Sequence, residues 1–393
     1  MLGLITEYNP FHNGHLLHLI KSKEKANSTK CIVVMSGNFV QRGEPAIFDK
    51  FLRTKMAILN GADIVLELPI QFATASAEFF AMGAVDLLEK TGVVNKLCFG
   101  TEEGELEEIL EIAKIISNET EEFKKEFLKE LDKGISFPKA RQNAIESILN
   151  KDLSFLNLPN NILAIEYLKA ILKLNSKIKP FTIKREKASF HSEEIFGEIA
   201  SATALRKALK ENKIENLKKC MPKSCFELIN SNIPLLDDYS SILNYILKQN
   251  NKNINNILEI GEGLENRILK NADTFLISNL IEKIKCKRYT YTKLQRAILN
   301  IILNKTKEEY SQYTKTLNQY IRILGFKKSS SNIVSEICKN SKVPVITNLK
   351  DYKKILNKNA IEMLEKNIKA TDIYYIGKEK PINYEFYQPI VII

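Results

Sequence analysis

Short apolar runs alternate with amphipathic stretches along the first third of the chain. Leu2 to Ile5 reads as a strand, and Leu16, Leu17, Leu19 and Ile20 have the spacing of a helix packed back onto it. Cys31 to Met35 is a second apolar run. Asp49 suits the cap of a helix through Leu59, and Gly61 suits its end. Ile64 to Leu68 stops at Pro69, a helix spans roughly Ala77 to Leu88, and Lys96 to Phe99 runs into Gly100. Strands alternating with helices of this size predict an α/β fold, a Rossmann-like doubly wound parallel sheet. Ligands bind such sheets beyond the carboxyl ends of the strands. His12, Ser36, Gly37 and Gly100 all fall at predicted strand ends, so they should share one crevice.

The pattern then changes. Glu103 to about Asn150 is charged and helical, with an acidic start that reads as a solvated helix face. Pro159-Asn160-Asn161 introduces a helix through Leu174, and Pro180 to Arg185 reads as a strand ending in Lys184 and Arg185. Ser201 can cap a helix that carries Thr203 and Arg206. From about residue 215 the pattern is mainly helical through Leu324. In 325–393 a strand at Val343 to Ile346 and a helix from Lys350 predict a small C-terminal α/β unit. The organisation expected is therefore 1–215, an α/β domain; 216–324, a mainly helical region; and 325–393, the small unit.

Composition narrows the class. At 44% hydrophobic and 27% charged residues, the chain can build a core. It has no apolar run long enough for a membrane span and no signal-peptide pattern, so a cytoplasmic protein without membrane contact is expected. The six cysteines are scattered without a Cys-x-x-Cys pair, and Cys31 and Cys98 lie in strand-like runs where burial is the simplest explanation. Charge is uneven. Residues 1–200 hold 25 Lys and Arg against 28 Asp and Glu, whereas residues 201–393 hold 33 against 19. A lysine-rich composition would affect both halves. The asymmetry favours a polyanionic partner for the second half.

Candidate chemistry concentrates in His12-Asn13-Gly14-His15. A strand, a turn and a helix N-terminus together make an anion site, because amide N–H groups and the positive end of the helix dipole point the same way. The two imidazoles add donors, and Gly14 lets a phosphate approach the backbone. A plain turn with surface histidines would look similar, but half of the chain's four histidines fall in this tetrapeptide. Ser201, Thr203 and Arg206 make a second candidate phosphate grip. Lys285, Lys287, Arg288, Lys293 and Arg296, interleaved with Tyr289 and Tyr291, pair cations for RNA phosphates with rings for unstacked bases. An exposed basic helix-turn would give the same pattern. No Ser-His-Asp arrangement or P-loop is present. Two phosphate grips suit nucleotidyl transfer, with His12, His15 and Arg206 as catalytic groups on a triphosphate. Mg²⁺ is expected to accompany the phosphates, and no metal ligands are assigned to the protein.

The tetrad fits the His-x-Gly-His signature of the nucleotidylyltransferase superfamily. Ile199-Ala200-Ser201-Ala202-Thr203-Ala204-Leu205-Arg206 resembles its second motif, Ile-Ser-Ser-Thr-x-x-Arg. More narrowly, Glu7-Tyr8-Asn9-Pro10-Phe11-His12-Asn13-Gly14-His15, Met35-Ser36-Gly37-Asn38-Phe39, Gln41-Arg42-Gly43-Glu44-Pro45, Arg53-Thr54-Lys55-Met56-Ala57, Pro159-Asn160-Asn161 and Ile183-Lys184-Arg185 resemble the bacterial tRNA(Met) cytidine acetate ligase family. Lys287-Arg288-Tyr289-Thr290-Tyr291-Thr292 carries the resemblance into the basic half. It implies that ATP and acetate give acetyl-AMP, and that the acetyl group then passes to N4 of the wobble cytidine of elongator tRNA(Met). It also implies ATP-binding positions at Ile5, Thr6, Glu7, Tyr8, Asn9, Pro10, Phe11, His12, Asn13, Gly14, His15, Leu16, Leu17 and His18, at Gly100, at Asn160 or Asn161, and at Arg185. One departure stands out: Glu186-Lys187-Ala188-Ser189-Phe190-His191 replaces a glycine-rich stretch of the family, leaving His191 a weak candidate. Two other readings stay open, a nucleotidylyltransferase acting on a small phosphorylated metabolite and a non-enzymatic RNA-binding protein.

Overall fold

Leu2 and Leu4, Cys31 to Ser36 and Ile64 to Leu68 are buried, which is the two-sided burial a parallel sheet imposes on its central strands. The computed structural model describes every residue except 119, 136, 186–199, 212, 230–232, 250–253, 377 and 379. Ten strands are present among these: β1 (Leu2–Thr6), β2 (Cys31–Ser36), β3 (Phe39–Val40), β4 (Glu44–Pro45), β5 (Ile64–Leu68), β6 (Lys96–Thr101), β7 (Lys179–Lys184), β8 (Ile321–Phe326), β9 (Val345–Ile346) and β10 (Val391–Ile392). The main sheet runs β10-β8-β5-β2-β1-β6-β7, with β9 against β8, while β3 and β4 form a separate antiparallel hairpin.

Strands β5-β2-β1-β6-β7 are parallel throughout. The chain builds outward from β1 to β5, then crosses back to place β6 and β7 on the other side. Strand order reverses at β1/β6, so a crevice opens at their carboxyl ends. Helix α1 (Asn13–Lys25) leaves β1 there. Helix α2 (Lys50–Leu59) follows the hairpin with Asp49 as its cap, the carboxylate accepting from the amides of Phe51 (2.8 Å) and Leu52 (2.9 Å). Among the described residues no helix is long and apolar enough to cross a membrane.

The last segment differs from expectation. Residues 325–393 are not a separate unit, and the stretch before Leu324 is not helical to its end. Ile321–Phe326 is β8, which adds antiparallel to β5 and carries β9 and β10 into the main sheet. The Lys358–Tyr374 helix packs over the short helix after β5 (Ile70–Ala73), where Asn367 Oδ1 accepts from the Ile70 amide at 2.8 Å. A charge in the middle of the run, Arg322, hides this strand from a pattern of apolar alternation. Its guanidinium is buried beside Glu67 and Glu385. Lys50 completes the group, with Nζ 2.6 Å from Glu67 and 2.5 Å from Glu385. Burial alone would raise the Glu385 carboxyl, but Arg322 and Lys50 outweigh it and hold it below the ordinary carboxylate range.

The helical region also lacks independence. Its core of Tyr239, Leu243, Ile281 and Ile298 takes in Phe39 of the hairpin, Ile70, and Ala370 and Tyr374 of the C-terminal helix.

Removing one member of the buried ion group leaves the rest desolvated and incompletely paired. Glu385→Ala is expected to cost about 3–5 kcal/mol of folding free energy. Urea unfolding followed by far-UV circular dichroism measures this, and a loss below 1 kcal/mol would contradict it.

Candidate active site

The crevice floor is organised by one side chain. Arg53 projects from α2 and is fully buried. Its guanidinium donates to the carbonyls of Phe48 (2.8 Å), Glu7 (2.6 Å), Ser36 (3.1 Å) and Gly37. The chain just beyond β1 and the end of β2 are thereby drawn to a single fork of donors. The hairpin is tied to the same loop: the Gln41 amide donates to Glu7 Oε1 (2.7 Å) and the Ile47 amide to Asn9 Oδ1 (2.7 Å). Burial raises the Glu7 carboxyl above its usual range, although the Gln41 hydrogen bond and the Arg42 and Arg206 charges oppose it. Tyr8 takes a left-handed backbone conformation (φ 47°), uncommon for an aromatic residue. Its ring packs edge-on against Phe11 (4.6 Å) and His15 (5.1 Å).

His12 caps α1. Its Nδ1 accepts from the Gly14 amide at 3.0 Å, so the neutral ring carries its proton on Nε2. The His12 and His15 rings stack with centroids 3.8 Å apart. His12 Nε2, His15 Nδ1 and His18 Nε2 are each buried without a hydrogen-bond partner. Burial first, then the Arg185 and Arg206 charges, depress His12 to about 3. Burial and Arg185 depress His18 to about 4, and burial with His12 and Arg185 holds His15 well below its ordinary value. All three imidazoles are therefore neutral near pH 7.

The second motif does reach the first. Ser201 caps the Ala202–Lys210 helix, accepting from the Ala204 amide at 3.0 Å. Arg206 donates to the Asn9 carbonyl (3.2 Å) and to Thr203 Oγ1 (3.2 Å), and its Nε lies 3.5 Å from Glu44. On the other flank, Arg185 donates to Asn160 Oδ1 at 3.1 Å. Its stem crosses Gly100 so closely that a Cβ there would sit 3.1 Å from Arg185 Cγ. The two asparagines separate. Asn160 faces Arg185, whereas Asn161 is fully buried and bonds the Glu102 amide and the Glu103 and Phe155 carbonyls.

Not every expected position faces the crevice. Ile5 and Leu16 pack into the core, and the Asn13 side-chain Nδ2 donates to the Lys219 carbonyl at 2.9 Å. In the basic cluster two residues are corrected. Arg296 is buried and donates from Nε to both oxygens of Glu259 (2.8 and 3.0 Å), an ion pair within the protein rather than a free surface cation. Tyr289 is buried too, its hydroxyl donating to the Glu262 carbonyl at 2.8 Å, and its ring cannot take a base. Lys285, Lys287, Arg288 and Tyr291 are exposed, and Lys293 is half-buried with its ammonium 5.0 Å from the Tyr289 ring centroid. His191 and Ile199 lie outside the described residues. Sequence reasoning missed Glu102, whose carboxylate accepts from the Asn160 and Asn161 amides, and Arg53. Arg53 shares the buried side of α2 with Met56 and Ala57, and a cation on an apolar stripe was the available signal.

A family model described as HIGH Nucleotidyl Transferase matches residues 1–388. A tRNA(Met) cytidine acetate ligase of Thermoanaerobacter sp. (strain X514) is 42% identical, across 100% of this chain and 99% of that protein. Its counterpart in Clostridium perfringens is 44% identical over 98% of this chain and 97% of its own. The crystal structure of Thermotoga maritima TmcAL in its apo form superposes with a TM-score of 0.95 at 34% identity, covering 100% of this chain and 99% of that one. The same protein bound with alpha-thio ATP gives 0.93. A crevice built from both phosphate motifs, in a fold shared from end to end with these proteins, places the chain in the HIGH nucleotidyl transferase family and, within it, in the family of the tRNA(Met) cytidine acetate ligases.

Proposed function

We propose that the protein is an ATP-dependent tRNA(Met) cytidine acetate ligase: it adenylates acetate with release of pyrophosphate, then transfers the acetyl group to N4 of the wobble cytidine of elongator tRNA(Met). The observation that carries the first step is the set of unpartnered imidazole nitrogens on His12, His15 and His18, flanked by Arg185 and Arg206. Buried polar atoms ordinarily have partners, and orphans grouped beside two guanidinium groups suit an anion with many oxygens. The first step needs little covalent work from the protein. An acetate oxygen attacks the α-phosphorus, the bond to pyrophosphate breaks, and the site holds the reactants in line while balancing charge on the phosphoryl oxygens. His12 would supply a neutral Nε2–H donor, and Arg206 the cation on the β- or γ-phosphate. Asn160 holds Arg185 in place.

Mg²⁺ enters this reading as the companion of the nucleotide. Among the described residues no group of three or more His, Cys, Asp or Glu converges on one point, so phosphate oxygens and waters would fill its shell. For the second step, Lys285, Lys287, Arg288 and Tyr291 remain as the exposed tRNA-facing candidates in a half of the chain that is strongly basic.

Purified protein supplied with ATP and acetate is expected to produce N4-acetylcytidine in elongator tRNA(Met), read by nucleoside mass spectrometry; its absence from correctly folded enzyme would overturn the reading. His15→Ala should lower acetate-dependent pyrophosphate exchange by about 10²-fold or more. A purely RNA-binding role predicts no exchange in either protein. The neutral histidines also set an acid limit. Below pH 6.5 the unfolded chain takes up protons that the folded site refuses until about 4 for His18 and about 3 for His12. Stability is therefore fully present above pH 6.5 and falls through that window, by up to about 1.4 kcal/mol per pH unit for each histidine. His12→Asn should flatten the slope in urea melts at pH 7, 5.5 and 4.5.

A further inference from the structure

Between the ATP crevice and the basic helices lies a cleft of about 210 Å³. One molecule of liquid water occupies about 30 Å³. Its walls include Glu44 of β4, Arg206 and Lys210, Asp237, and Tyr291 and Gln295 of the Tyr291–Ile302 helix. Arg206 is common to both concavities. One face of its guanidinium meets Asn9 of the first motif, and Nε lies beside Glu44. The hairpin turn beside the cleft rests directly on the neighbouring helix. At Gly43 (φ 82°) a Cβ would fall 2.4 Å from the Arg296 backbone nitrogen.

The lining side chains are not equally committed. Both oxygens of Asp237 are engaged by Ser278, from its amide at 2.8 Å and its hydroxyl at 2.7 Å. Glu44 lies 3.5 Å from Arg206, longer than a charge-assisted hydrogen bond, and a triphosphate that draws Arg206 toward itself would loosen this carboxylate. Tyr291 is 39% exposed. Its ring and the Glu44 carboxylate line the same cleft, an aromatic face and an acceptor together. Partial burial, then the carboxylates of Glu282, Asp237 and Glu44, push the Tyr291 hydroxyl up.

We infer that this cleft receives the target cytosine, with Tyr291 stacking on the ring and Glu44 accepting a hydrogen bond from the exocyclic amine and then its proton. The inference rests on the function proposed above. In the step it describes, the amine nitrogen attacks the acetyl carbonyl carbon of acetyl-AMP. The C–N bond forms, the C–O bond to the α-phosphate breaks, AMP leaves with the electron pair, and one amine proton passes to the Glu44 carboxylate. A carboxylate at this position also selects the base, because uracil presents a carbonyl oxygen where cytosine presents N–H donors.

Two half-reactions separate this role from a structural one. In Glu44→Gln, acetyl transfer to tRNA in a single turnover should fall about 10²–10⁴-fold, while acetate-dependent pyrophosphate exchange falls less than about tenfold. Tyr291→Ala should raise the KM for tRNA about tenfold or more with kcat little moved, and Tyr291→Phe should restore it. Thermal melts of each variant establish that it is folded. Wild-type transfer by Glu44→Gln overturns the assignment. Equal losses in both half-reactions also overturn it, because Glu44 would then act only by tethering Arg206. An unchanged tRNA KM in Tyr291→Ala removes the stacking role. A wild-type protein that adenylates no carboxylate would instead bring down the underlying function, and the assignment with it.

Discussion

The bonds from Arg53 to the Glu7, Ser36, Gly37 and Phe48 carbonyls hold the site together. Carbonyls of the chain just beyond β1 and at the end of β2 converge here, and converging carbonyl dipoles repel one another. A fully buried guanidinium resolves this by donating to each oxygen. A lysine could not reproduce the planar spread of donors. The hairpin, Glu7 and Asn9 are positioned relative to this knot, and through Asn9 so is Arg206.

Electrostatics in the crevice run opposite to those of the ion group behind it. Around Lys50, Glu67, Arg322 and Glu385 opposite charges compensate in the dry interior. Around His12 and His15 burial is the leading cause of neutrality, and the Arg185 charge adds to it. Orphaned ring nitrogens beside Arg185 and Arg206 suit an anion, and the neutral rings cost the fold some stability in acid.

The sheet's first strands, the Asp49 and Ser201 caps and the helix N-terminus at His12 were legible in the sequence, because each depends on neighbours within a few residues. What escaped depends on partners far along the chain. β8 was unreadable because Arg322 interrupts its apolar run, and only Glu67 and Glu385 make that charge tolerable. Asn160 and Asn161 are identical in composition and adjacent, but the first turn of their helix points one toward Arg185 and buries the other under Glu102 and Glu103. Arg296 and Tyr289 were misplaced for the converse reason. A basic or aromatic residue reads as exposed until its partner, Glu259 or the Glu262 carbonyl, is known.

The ion group joins distant parts of the chain. Lys50 sits 17 residues from Glu67 but 335 from Glu385. During synthesis, strands β1 to β6 can pair long before Glu385 leaves the ribosome. Over that interval Lys50 has one carboxylate, and Arg322, once made, shares it. Glu67 Oε1 lies 2.8 Å from where a side chain on Gly37 would begin, so the same carboxylate abuts the crevice. The far C-terminal end of the chain thus reaches the crevice wall through Glu385, Lys50 and Glu67, a relay of charge that lies outside the His12-Asn13-Gly14-His15 motif.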